Sequence, residues 1–206
     1  MFDDFSKRNK AVRAAFEIAA EQGWRAVTFP AIAERSRLSL AELRTEFTCK
    51  SDLLKAFQAE VDGEVLSKVK PAAPEQSQRD RLLDLVMTRF EAMGPYKPAL
   101  KRIVAELSCR PGEQAQLLCS TLTSQYWMLA GAGARLDGPG AGLRVAGLAA
   151  IYAKTFRVWL DDDTPGLDRT MAALDRSLRK GEDWLCGVES ACASVCRLAG
   201  GFMPRG

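Results

Sequence analysis

Apolar residues recur at helical spacing along nearly the whole chain. Val12, Ala15, Phe16 and Ala19 stand at i, i+3, i+4 and i+7 and predict a first helix, which Gly23 closes. Thr28 is a suitable N-cap for a second helix through Arg35, carrying Ile32 inward. Ser39 caps a third, Leu40 to Phe47, with Leu40, Leu43 and Phe47 expected inside. Two short helices joined by Ser36, Arg37 and Leu38 have the length of a helix-turn-helix, whose second helix can enter a major groove. A fourth helix is predicted from about Ser51, its expected N-cap, to about Val69, with Leu54, Phe57, Val61 and Val65 on its stripe. Pro71 and Pro74 end it.

The remainder is helical patterning with short breaks. Leu82, Val86, Phe90 and Met93 line one helix, broken at Gly94-Pro95. Leu100, Ile103, Val104 and Leu107 belong to the next. A long helix follows from about Glu113 to Leu136, then a loop at Gly138-Pro139-Gly140. Val145, Leu148, Ile151, Tyr152, Phe156 and Trp159 lie on a helix apolar on two sides, the pattern of a helix buried twice. Leu167, Met171, Leu174 and Leu178 mark another. A last amphipathic segment spans Glu182 to Leu198, striped by Leu185, Val188, Cys192 and Val195. It is poor in basic residues on its polar face, so it is expected to pack on the protein and not on a membrane. No alternating strand pattern and no internal repeat occurs. The expected fold is all-α: an N-terminal three-helix helix-turn-helix domain (1–50), a connecting helix and linker (51–78), and a C-terminal helical bundle (79–206).

Composition narrows the function. The 206 residues carry a net charge of +3, and residues 1–70 hold 12 Lys/Arg against 11 Asp/Glu. Any basic patch is therefore local: Lys7, Arg8, Lys10 and Arg13 at the start of the first helix, with Arg25, Arg35, Arg37 and Lys50 nearby. Histidine is absent, which removes Ser-His-Asp chemistry and histidine metal ligands. The six cysteines form no CxxC pair and read as small buried hydrophobes. The Asp161–Asp163 run reads as a helix-terminating cluster. No catalytic residue, metal ligand or cofactor site is expected, so the chain does not read as an enzyme. No apolar run of 18 residues occurs and the first residues, Met-Phe-Asp-Asp, lack a basic-plus-apolar signal pattern, so a cytoplasmic location without membrane attachment is expected.

The N-terminal pieces have a recognisable order. Ala14-Ala15, Gly23, Val27-Thr28, Ile32-Ala33-Glu34, Leu38-Ser39, Leu43, Phe47, Lys50 and Leu53-Leu54 resemble the signature of the TetR family of bacterial transcriptional regulators. Three positions depart from it: Arg37 where the family usually has glycine, Arg44 where it has tyrosine, and Glu46 where a basic residue is frequent. The resemblance implies a homodimer that binds a double-stranded DNA operator and responds to a small apolar ligand. Lys7, Arg8, Thr28, Arg37, Ser39, Leu40, Glu42, Arg44, Thr45 and Lys50 would then meet DNA. Phe90, Met93, Tyr126, Trp127 and Phe156 suit an adaptable apolar ligand pocket. Leu148, Ile151, Tyr152, Met171, Leu174 and Leu178 would form the dimer interface. The C-terminal half also resembles a TetR-like branch related to the ubiquinone-biosynthesis lipid-binding protein. That likeness implies an alternative, a lipid-binding accessory protein that no longer binds DNA.

Overall fold

Ala11, Val12, Ala14, Ala15, Phe16, Ile18 and Ala19 are all buried, and they make Lys7–Gln22 the central helix of the N-terminal part (α1). The computed structural model describes residues 6–69, 75–107, 111–138 and 140–183, and among them no strand occurs. After α1 come a 3-10 turn at Trp24–Ala26 and helices Phe29–Ser36 (α2), Leu40–Glu46 (α3) and Ser51–Ser67 (α4). Helix α5 is Gln78–Met93, and a second 3-10 turn, Gly94–Tyr96, leads into α6, Lys97–Leu107. Then follow α7, Pro111–Gly131, and α8, Ala141–Leu160. Residues 168–183 are helical (α9). The last amphipathic segment lies outside the described residues beyond 183.

Gly23 turns the chain out of α1 at φ 91°, and its N–H donates to the Ala19 carbonyl at 3.0 Å. The left-handed region suits glycine, and here space also demands it. A Cβ at this position would lie 2.3 Å from Glu106 Oε1. Glu106, on α6, accepts the backbone N–H groups of Trp24 (3.0 Å) and Arg25 (2.8 Å). Arg102, one helical turn earlier, donates to the Glu21 carbonyl at 3.0 Å. The end of α1 and the turn after it are thus held by α6.

Two aromatic clusters hold the halves. Phe16 stacks on Phe57 at 4.2 Å, and Tyr96 meets both rings edge-on at 5.6 and 5.1 Å, joining α1, α4 and the second 3-10 turn. Phe90 packs between Tyr152 (5.4 Å) and Trp159 (5.5 Å), joining α5 to α8. Beside the second cluster lies a buried ion pair between Asp62 of α4 and Arg89 of α5. Ser124 of α7 donates to Asp62 at 2.9 Å, and Arg89 Nε donates to the Tyr152 hydroxyl at 3.2 Å. One polar network therefore ties four helices, and removal of one charged partner from such a pair costs about 3–5 kcal/mol.

The turn from α8 to α9 is built on Asp162. Its carboxylate accepts from the N–H and hydroxyl of Thr164 (3.2 and 2.6 Å) and of Thr170 (2.8 and 2.7 Å). Burial opposes its ionisation, but the threonine donors hold the carboxyl well below the usual carboxylate range. The acidic run is thus a loop anchor with one buried member, not a wholly solvated cluster. No group of acidic or cysteine side chains is placed to hold a metal among the described residues.

The residues expected at the dimer interface divide. Leu148, Tyr152, Leu174 and Leu178 are buried within their own bundle, while Met171 is exposed and Ile151 half-buried. The doubly apolar look of α8 has another reason. Its outer side carries Leu143, Ala146, Ala150 and Ala153, all exposed, opposite the buried row.

Candidate nucleic-acid interface

Helix α3 has seven residues, too short to stand by itself, and its start is closed on both sides. The Glu42 N–H donates to Ser39 Oγ at 3.2 Å, and Glu42 Oε2 accepts from the Ser39 N–H at 2.8 Å and from its hydroxyl at 2.9 Å. This is a complete capping box. Lys7 of α1 reaches the same carboxylate at 3.1 Å. The Ser39 backbone N–H, then Lys7 and the Ser39 hydroxyl, lower the Glu42 carboxyl to about 2. Glu42, expected to meet DNA, is therefore bound back onto its own helix start and onto Lys7.

Leu43 faces the core, and the opposite side of α3 is open. Leu40 is 55% exposed, contrary to its expected place inside. Arg44 and Thr45 are exposed as well, and Thr45 Oγ1 donates to the Glu42 carbonyl at 2.7 Å. Arg37, in the turn before α3, is exposed with φ 57° and ψ 34°. That left-handed conformation is one glycine adopts without penalty. An arginine holds it at a cost of about 1–2 kcal/mol.

A second group lies at the start of α2. Thr28 caps that helix by accepting from the Ala31 N–H at 3.3 Å. Lys50 donates to the Trp24 carbonyl and sits 4.3 Å above the Trp24 ring. Arg25, Thr28, Phe29 and Lys50 line a cleft of about 320 Å³. A helix N-terminus between two cations is suited to an anion. Arg8 lies 5.6 Å over Phe47. Ser51 is not the cap of α4, because Lys50 takes that position. Asp52 instead accepts the N–H groups of Thr48 (2.9 Å) and Cys49 (3.0 Å). Burial opposes its ionisation, yet these amides and Lys55 lower it to about 2.

No protein-family model matches the sequence, and no curated protein matches it. The arrangement of helices does have counterparts. A TetR transcriptional regulator from Nitrosomonas europaea aligns over 86% of this chain and 98% of its own, with a TM-score of 0.69 at 24% identity. This chain has the TetR fold. A transcriptional regulator from a Rhodococcus species aligns over 85% of this chain and 95% of its own, with a TM-score of 0.51 at 18% identity. In TetR terms α2 and α3 are the helix-turn-helix.

The five residues expected at the ligand pocket do not come together. Phe90 and Met93 are buried, and Phe156 leans on Phe90 at 6.4 Å. Tyr126 and Trp127 form an edge-on pair on the outer side of α7 and are half exposed. None of the five lines the large cavity of the C-terminal part, which measures about 660 Å³ and lies between α5, α7, α8 and α9. Sequence patterning missed it, since its lining comes from four helices and holds no aromatic or methionine residue. No helix among the described residues is long and apolar enough to cross a membrane.

Proposed function

We propose that the protein is a homodimeric DNA-binding transcriptional regulator of TetR type, a repressor released by a small apolar ligand. The observation that carries this reading is the exposed side of α3. Leu40, Arg44 and Thr45 stand outward from a helix fixed at its start by a capping box. A rigid short helix with an arginine, a threonine and an apolar side chain on one face has the means to read base edges. Leu40 suits a thymine methyl, and Arg44 a guanine edge. Arg37, Lys50 and the start of α2 suit the flanking phosphates, which position the reader without specifying sequence. The cavity between α5, α7, α8 and α9 supports the ligand-responsive part.

The test is selection from a pool of random double-stranded DNA, followed by fluorescence anisotropy on the selected sequence. The expected product is an inverted repeat whose affinity falls steeply with salt. Arg44→Ala weakens binding by about 1–3 kcal/mol and relaxes the preference at one base position. Failure to enrich any sequence overturns the reading.

A further inference from the structure

The cavity between α5, α7, α8 and α9 has two chemistries. Its apolar wall is Leu82, Leu129, Leu148, Ile151 and Leu178. Its charged lining is Arg79, Arg144, Lys154 and Lys180, four cations against the single carboxylate of Glu182, with Gln78 and Ser177 as neutral polar neighbours. The space is made by glycines. A Cβ at Gly147 would meet nothing within 4 Å, and one at Gly181 would meet only Ile151 Cδ1, at 2.9 Å. The volume of about 660 Å³ falls within the usual range for small-molecule sites.

The charges are unevenly balanced. Arg79 pairs with Asp80 (3.3 Å) and Glu182 (3.7 Å), yet its Nε is buried without a hydrogen-bond partner. Lys154 and Lys180 are exposed at the lining and make no ion pair among the described residues. A neutral apolar ligand would leave these cations unused, and a small polar anion would leave the leucine wall unused. We infer that the cavity takes an apolar carboxylic acid, with its hydrocarbon part among Leu82, Leu148, Ile151 and Leu178 and its carboxylate among Lys154, Lys180 and Arg79. The inference rests on the ligand-responsive reading above, and it narrows the effector from apolar to amphiphilic and anionic. A cation beside a buried donor forms the stronger, charge-assisted hydrogen bonds to a carboxylate.

The experiment is calorimetric titration of the full chain, without DNA and below the micellar range, with dodecanoate, dodecanol and dodecyltrimethylammonium. Dodecanoate binds at one site per chain, about tenfold or more tighter than dodecanol, and the ammonium compound binds weakest. Lys154→Gln combined with Lys180→Gln removes most of the preference for dodecanoate and leaves dodecanol affinity unchanged. Ile151→Trp fills the cavity and abolishes binding of both. Thermal unfolding of each variant identifies any that fails to fold, and the comparison of the three ligands on the unaltered chain stands without them. Equal affinity for acid and alcohol overturns the inference, as does a lysine variant with unchanged dodecanoate preference, or no binding of any of the three. The same preparations are assayed on the selected DNA. Dodecanoate binding without any DNA binding overturns the regulator reading alone, whereas DNA binding without dodecanoate preference overturns the ligand class alone.

Discussion

Single side chains set the shape and surroundings of α3. Arg37 occupies the left-handed region, and its replacement by glycine relieves that strain. Arg37→Gly is expected to stabilise the chain by about 1 kcal/mol in urea unfolding. If the residue meets a phosphate, the same change lowers the salt slope of DNA binding by about 1. Glu42 provides a pH signature. Its carboxyl is lowered from 4.5 to about 2, chiefly by the Ser39 N–H. A carboxyl lowered on folding contributes stability above its unfolded pKa, and that contribution is lost as pH falls through the folded value. The capping box therefore holds at neutral pH and is lost between 4.5 and about 2. A carbon-detected NMR titration gives a Glu42 midpoint near 2, and Lys7→Ala raises it only part of the way, since the Ser39 N–H remains. An ordinary midpoint in the unaltered protein would refute the box. Ser39, Thr28 and Gly23 were legible in the sequence because caps and turns are local: the residue and its partner lie within four positions of one another. The tie from Lys7 to Glu42 was not, since it spans two helices whose approach only tertiary packing decides.

Among elements, α6 joins α4 in linking the two parts of the chain. The Glu106 side chain accepts both the Trp24 and the Arg25 N–H groups. Glu106→Gln retains the shape but places a donor against one of those N–H groups. The expected loss is about 1.5–3 kcal/mol, the range for hydrogen bonds to a charged group. Amide exchange at Trp24 and Arg25 accelerates more than exchange in the middle of α1, and uniform acceleration would contradict a local clamp. The helices themselves were readable from periodicity, including the breaks at Gly23 and Gly94. The side on which each helix faces its neighbour was less readable. Leu40 fits the apolar period of α3 yet points to solvent, because a seven-residue helix has room for one inward turn and Leu43 fills it. The ligand cluster failed for a related reason. Aromatic and methionine residues on a stripe are the residues that fill space, as Phe90 and Met93 do, whereas a cavity is left where side chains are short, as at Gly147 and Gly181.

For the whole molecule, the proposed dimer has a different seam from that expected of Leu148, Tyr152, Leu174 and Leu178. These residues hold their own bundle, and a charge there would unfold it. The outer row of α8 is free of that duty. Small side chains at Ala146 and Ala153, outside the cavity lining, allow a partner helix to approach closely, and Met171 of α9 is exposed as well. Ala153→Glu and Met171→Glu are expected to give monomers in sedimentation velocity while thermal unfolding changes little. A dimer unchanged in both variants would place the seam elsewhere.

Trp24 and Trp159 are each fully buried, and each lies beneath a lysine, Lys50 at 4.3 Å and Lys97 at 5.2 Å. One indole belongs to the N-terminal helices and the other to the bundle, while Trp127 stands half in water. The protein thus carries its own pair of optical gauges. Red-shifted emission from Trp24 alone reports the N-terminal helices loosening from α6, and a change at Trp159 alone reports rearrangement inside the bundle. Single-tryptophan versions allow the two halves to be followed separately in one cuvette.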